Sequence, residues 1–191
     1  MRISTVLLAM ILSVCIGGCS KLSERDLADL QSPNDIVKRQ AIEKIARGER
    51  FSLSVVNQLF PDGIIEKKAV EIMARQLREE QESEDIQVAV LRAMGDVGKR
   101  IEVPVSPIIE KLKHSNPRIR LQAVESLGKI EDPQAVPALV ELLKNETDRY
   151  PVIWALGEIG DRSAIPALNG LLSNEDKYVR YNANKALAKI R

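Results

Sequence analysis

The chain has 191 residues, 45% of them hydrophobic but only 3% aromatic, with 28 Lys+Arg against 27 Asp+Glu. So balanced a charge argues against a nucleic-acid or anionic-membrane binder. Two cysteines and one histidine leave little for thiol or metal chemistry.

In chain order, Arg2 precedes an apolar stretch from Val6 to Ile16, long enough for an export signal and too short to span a bilayer stably. The stretch closes on Ile16-Gly17-Gly18-Cys19, small residues before a cysteine. This resembles the bacterial lipoprotein signal. The resemblance implies that residues 1–18 are removed as a signal peptide and that Cys19 becomes the lipid anchor, carrying two or three acyl chains where one would not hold. The plainer reading is a secretory leader with an incidental cysteine; Cys15 is a weaker anchor because Val14 precedes it. Ser20 stands where Asp would imply inner-membrane retention. The resemblance therefore implies outer-membrane sorting, with the domain facing the periplasm of the cell envelope. Loss of Arg2 leaves 27 charges of each sign, and no disulfide can form within the mature domain. Residues 19–23 make a short tether, whose residues beyond Cys19 span at most about 14 Å. A helical signal then resumes at Ser23-Glu24-Arg25-Asp26, where Ser23 is placed to cap a helix and Asp26 to complete a capping box.

From there the chain repeats. Leu127-Gly128-Lys129-Ile130, Leu156-Gly157-Glu158-Ile159 and Leu187-Ala188-Lys189-Ile190 each end an amphipathic stretch. Six rows share one frame, with the central residue at Ile45, Met73, Met94, Leu127, Leu156 and Leu187. The next residue is always small: Ala46, Ala74, Gly95, Gly128, Gly157, Ala188. A glycine inside a helix costs roughly 1 kcal/mol, so its recurrence implies close approach of a neighbouring helix. Val105-Ser106-Pro107, Ala135-Val136-Pro137 and Ala164-Ile165-Pro166 mark a second helix ahead of the last three rows, since Pro suits a first turn. The unit is helix A, turn, helix B, and only stacking buries its apolar stripe. The frame slips near 77–85, a polar stretch read as a break between helices over about 64–80 and 85–97.

Ile119-Arg120 through Asp132, and Val179-Arg180 through Ile190, resemble HEAT repeats of the phycobilisome-lyase type. The resemblance implies an all-α, right-handed α-solenoid of about five to six HEAT-like hairpins over 24–191. It also implies structural inter-repeat pairs, Asp132–Arg149 and Asp161–Arg180, and leaves Arg120 without its acid, because Lys99 stands at that place.

Chemistry is sparse, and no enzyme is expected. His114 lies alone in a polar turn, whereas HEAT-repeat hydroxylases need several His–Glu pairs for iron. No nucleophile elbow or phosphate loop is present, and no cofactor or metal is expected. The acidic run from Glu79 to Asp85 matches no calcium loop and reads as a solvated helix end.

The stronger signal is on helix B. Positions six and two before the central residue share one face. They read Arg39/Glu43, Lys67/Glu71, Val88/Arg92, Leu121/Glu125, Tyr150/Trp154 and Tyr181/Lys185. Paired charges give way to aromatics, which are typical binding anchors. Leu121, Glu125, Tyr150, Trp154, Tyr181 and Lys185 are therefore the candidate partner-binding residues, on the concave side that helix B lines in such solenoids. The alternative is that the last repeats tilt and bury the aromatics as a cap. The expected function is a lipid-anchored envelope scaffold for a protein partner near the membrane surface. Binding of an envelope glycan is the second reading and a lyase-like role the third. No nucleic acid is expected.

Overall fold

The computed structural model describes residues 24–47, 64–79 and 82–190. Cys19, Ser23 and the whole 1–23 leader and tether lie outside the described residues. Ten α-helices follow one another: α1 (Glu24–Leu30), α2 (Asp35–Arg47), α3 (Ile64–Arg78), α4 (Glu84–Val97), α5 (Ser106–Glu110), α6 (Pro117–Ile130), α7 (Val136–Leu142), α8 (Arg149–Ile159), α9 (Ile165–Gly170) and α10 (Lys177–Lys189). No strand occurs among the described residues.

The helices pair into five hairpins and stack as a right-handed α-solenoid. Odd-numbered helices form layer A and even-numbered helices form layer B, in which α2, α4, α6, α8 and α10 pack in sequence. One row of the sequence frame belongs elsewhere. Ala69, Val70 and Met73 are buried on α3, which contacts α1, α4 and α5 and is therefore a layer-A helix. Its apolar spacing matches a B helix because both layers bury one stripe against the same core. The short spacing between the second and third rows is thus the A-to-B step of one hairpin, with Ser83 capping α4 through the Ile86 amide.

The core runs the length of the stack through Ile42, Ile45, Leu91, Met94, Val124, Leu127, Ile153 and Leu156. Each such side chain contributes roughly 1.5–3 kcal/mol on burial. The small column is the B-to-B contact. A Cβ on Gly95 would meet the Ser126 Cα at 2.9 Å, and one on Gly157 would meet the Ala186 Cα at 3.0 Å. Pro107, Pro137 and Pro166 sit in first turns, where the missing N–H costs nothing. Pro151 also lies in a first turn and leaves α8 continuous. Asp132 and Asp161 cap the 3₁₀ turns Pro133–Ala135 and Arg162–Ala164. Helix α6 ends on Glu131 at φ 62° and α8 on Gly160 at φ 71°, so one left-handed cap position holds a glycine and the other does not.

Stacking ends on a polar face at α10. Asn184 occupies the column that holds Ile42, Leu91, Val124 and Ile153 earlier, and it is exposed. Among the described residues no helix is long and apolar enough to cross a membrane.

Candidate functional site

The layer-B ridge carries the candidate residues in the order that the repeat frame implies. At its N-terminal end the ridge is charged. Asp85 accepts from Arg118 at 2.6 Å and lies 3.4 Å from Arg39, which ties α2, α4 and α6 together. The hydrogen bond and charge of Arg118, then the charge of Arg39, hold the Asp85 carboxyl below its usual range. Arg92 is exposed on the same face, while Val88 is buried between α4 and its neighbours. Lys67 and Glu71 are exposed on layer A and do not belong to this ridge. Leu121 is half-buried and Glu125 exposed.

At the C-terminal end the ridge is aromatic. Trp154 is 41% exposed, Tyr150 38%, Tyr178 60% and Tyr181 67%. With Leu172 they account for five of the six exposed large apolar side chains among the described residues, all within the last two repeats. The frame therefore leaves Trp154 in solvent contact instead of burying it as a cap. Its ring still has a seat, since Cζ3 lies over Gly128. A shallow groove separates α8 from α10. Gly157 and Ala186 form its floor, Ile153 and Trp154 one wall, and Asn182, Lys185 and Lys189 the other.

The two lysines differ. Lys189 is paired with Glu158 across the groove. No carboxylate reaches Lys185 among the described residues. Tyr150 is partly committed, because its hydroxyl donates to Asp176, whose other oxygen accepts the Tyr178 amide and caps α10. The hydroxyl of Tyr150, then the Tyr178 amide, lowers the Asp176 carboxyl, and the same bond raises the Tyr150 phenol. Tyr178 lies outside the two sequence-derived columns and was legible only as one aromatic among four. Lys177 Nζ sits 5.1 Å from its ring centroid.

The inter-repeat pairs differ from those the resemblance implied. Asp132 and Asp161 spend their carboxylates on the Gln134 and Ser163 amides at 2.8 and 2.7 Å. The hydroxyl and amide of Ser163 lower the Asp161 carboxyl. Arg149 donates to the Leu143 carbonyl and lies 3.5 Å from Glu146. Arg180 donates to the Asn174 and Glu175 carbonyls. Each carboxylate sits one residue before the turn it caps and each guanidinium folds back on its own hairpin turn, so Asp132–Arg149 and Asp161–Arg180 do not form. Arg120 likewise folds back, donating to the His114 and Ser115 carbonyls, but it also reaches an acid of the next repeat. It donates to Asp148 at 2.9 Å, and Asn145 and Thr147 also donate to that buried carboxylate.

Beyond the Asp85 ties, two further salt bridges between neighbouring B helices lie two residues past the central column. Asp96–Lys129, at 3.0 Å, and Glu158–Lys189 alternate in sign along the stack. That alternation is visible in the sequence as Asp96, Lys129, Glu158, Lys189. Burial alone would lower Lys129, but its bonds to Glu125 and Asp96 raise it.

Among the described residues no cluster of His, Cys, Asp and Glu is arranged to hold a metal ion. No curated protein matches the chain in sequence. The complex of CpcE and CpcF of phycocyanin lyase from Nostoc sp. PCC7120 is structurally similar, with a TM-score of 0.67 and 23% identity over 92% of this chain and 66% of that one. This chain thus spans just under two-thirds of that neighbour's length. An engineered protein from a structural genomics consortium aligns at a TM-score of 0.50 and 18% identity, over 87% of this chain and 95% of that one. At these identities the likeness is one of fold. The family model of HEAT repeats matches residues 70–152 and 145–191, more than half of the chain. Those are the residues whose small columns, first-turn prolines and stacked B helices are described above, and the chain belongs to the HEAT-repeat family.

Proposed function

We propose that this protein is a lipid-anchored scaffold of the cell envelope that binds a protein partner through the layer-B ridge of its last two repeats. One observation carries the reading: equivalent ridge positions are both charged in the first repeat, whereas three of the four in the fourth and fifth are exposed aromatics. Exposed Tyr and Trp give large rigid contact area with a polar tip. HEAT repeats are suited to such binding because a stack presents one long continuous surface. The Ile16-Gly17-Gly18-Cys19 signal supports anchoring at Cys19, with outer-membrane sorting from Ser20. A domain tethered by residues 19–23 meets partners close to that membrane. The reading is non-enzymatic.

Photo-crosslinking from position 181 in intact cells, with the partner identified by mass spectrometry, tests the ridge. Trp154→Ala should weaken capture of that partner by roughly 2 kcal/mol, with thermal stability little changed. Loss of several kcal/mol of fold stability instead would make Trp154 a core residue and remove the site. Cys19→Ser should leave an unprocessed precursor or a soluble form; a processed variant that still fractionates with membranes would end the lipoprotein assignment.

A lyase-like role is the second reading, favoured by the structural likeness to the CpcE and CpcF complex of phycocyanin lyase. It requires bilin binding, which visible absorbance of the protein mixed with a free bilin would detect. Stacking of Tyr178 and Tyr181 on an envelope glycan is a third, and binding to purified sacculi separates it from protein capture.

A further inference from the structure

The occupant of the groove between α8 and α10 has a chemistry that the surrounding charges specify. Helix α10, Lys177 to Lys189, carries four cations and no acid. Helix α8 adds Arg149 and a single acid, Glu158, which is already paired with Lys189. With Asp161, Glu175 and Asp176 in the flanking turns, residues 149–190 hold six cations against four acids, a modest positive excess. Lys185 is exposed and meets no carboxylate among the described residues, and it lines a pit floored by Gly157 and Ala186 and walled by Trp154. The pit holds only about 40 Å³. Open to solvent on one side, it has room for a small apolar side chain.

We propose that the partner presents an extended acidic peptide segment, an apolar side chain seated against Trp154 and a neighbouring carboxylate on Lys185. This rests on the scaffold reading above and adds the partner's chemistry. The juxtaposition of a small apolar pit with an uncompensated ammonium fits a peptide in which Leu or Val neighbours Glu or Asp. A neutral glycan ring would stack on the tyrosines and gain nothing from the Lys185 charge. The attraction of Lys185 for a carboxylate is a surface one and falls with salt.

Trp154 is the only tryptophan in the chain, so its emission reports the groove directly. The full chain is titrated with a short synthetic peptide of alternating Glu and Leu, with its Gln–Leu and Lys–Leu analogues, and with a soluble peptidoglycan fragment. The Glu–Leu peptide should shift Trp154 emission with an affinity at least about five-fold above the Gln–Leu peptide, and higher salt should narrow that gap. Lys185→Glu, an exposed substitution that cannot unfold the helix, should reverse the preference toward the Lys–Leu peptide. Equal affinity for all three peptides, an unchanged preference in Lys185→Glu, or no emission change with any peptide overturns the acidic occupant. A response to the glycan fragment alone overturns the peptide class. These outcomes are separable from failure of the scaffold reading. If Trp154→Ala still loses the crosslinked partner while the peptide preference is absent, the ridge stands and the acidic occupant does not. If Trp154→Ala captures the partner normally, the ridge itself is wrong.

Discussion

A Cβ placed on Gly128 would lie 2.7 Å from Cζ3 of Trp154 and 3.0 Å from the Cα of Ala155. One glycine therefore seats the exposed indole and also sets the approach of α8 to α6. The helix-propensity cost of that glycine, roughly 1 kcal/mol, is offset by the contact it permits.

Gly128→Ala should lower stability by about 1–2 kcal/mol, overpacking outweighing the gain in propensity. It should also change Trp154 emission. Gly170 ends α9 with nothing within 4 Å of its Cβ position. Gly170→Ala should raise stability by about 0.5–1 kcal/mol. Urea unfolding of both variants checks the contrast; two gains would show that the close approach relaxes freely.

The buried Asp148 carboxylate gathers Arg120, Asn145 and Thr147. Removing it leaves the mostly buried Arg120 guanidinium with only the His114 and Ser115 carbonyls and no counter-charge, so Asp148→Ala should cost about 3 kcal/mol. Asp132→Ala removes a cap on an exposed turn and should cost only about 1 kcal/mol. Equal costs in chemical denaturation would mean that Asp132 does more than cap.

Asp176, Asp85 and Asp161 all sit below their usual value of 3.8 in the folded protein. A depressed carboxyl stabilises the fold above its unfolded value and loses that contribution as pH falls through the folded one. Stability should thus hold at neutral pH and fall as pH drops below about 4. Lys129 has the opposite sign: raised from 10.5, its contribution is complete below that value and is lost as pH rises through the folded one. In Tyr150→Phe the Asp176 titration, followed by NMR, should move up toward 3.8. An unmoved titration would show that the Tyr150 bond is not what depresses it.

The turn between α3 and α4 is crossed by polar ties, Lys38–Glu82 at 2.6 Å and Ser83 to Asp35 at 2.7 Å. Nearby, the buried side-chain carbonyl oxygens of Gln76 and Gln87 meet no donor among the described residues. Polar seams couple neighbouring repeats less strongly than apolar ones. Limited proteolysis should cut within 77–85 before it cuts within 104–190. First cleavage in the C-terminal repeats would rank the seams the other way.

Several features were legible without the structure. The Leu-Gly pairs at 127 and 156, the Leu-Ala pair at 187 and the prolines at 107, 137 and 166 specified stacked helical hairpins, because helical spacing and first-turn geometry are local properties. The Tyr150/Trp154 and Tyr181/Lys185 columns were legible for the same reason. Tertiary structure decided which layer a helix joins. Ala69–Ala74 has the spacing of a B helix yet lies in layer A, since an apolar stripe does not record which neighbour it meets. It also decided who pairs with whom. Arg120, Arg149 and Arg180 all turn back on their own hairpins, and only Arg120 among the three also reaches an acid in the next repeat, Asp148, because the turn before α8 places that carboxylate within its reach. Exposure of Trp154 belongs to the same class: it depends on how closely Gly128 lets α8 approach, a distance that only the packed stack sets.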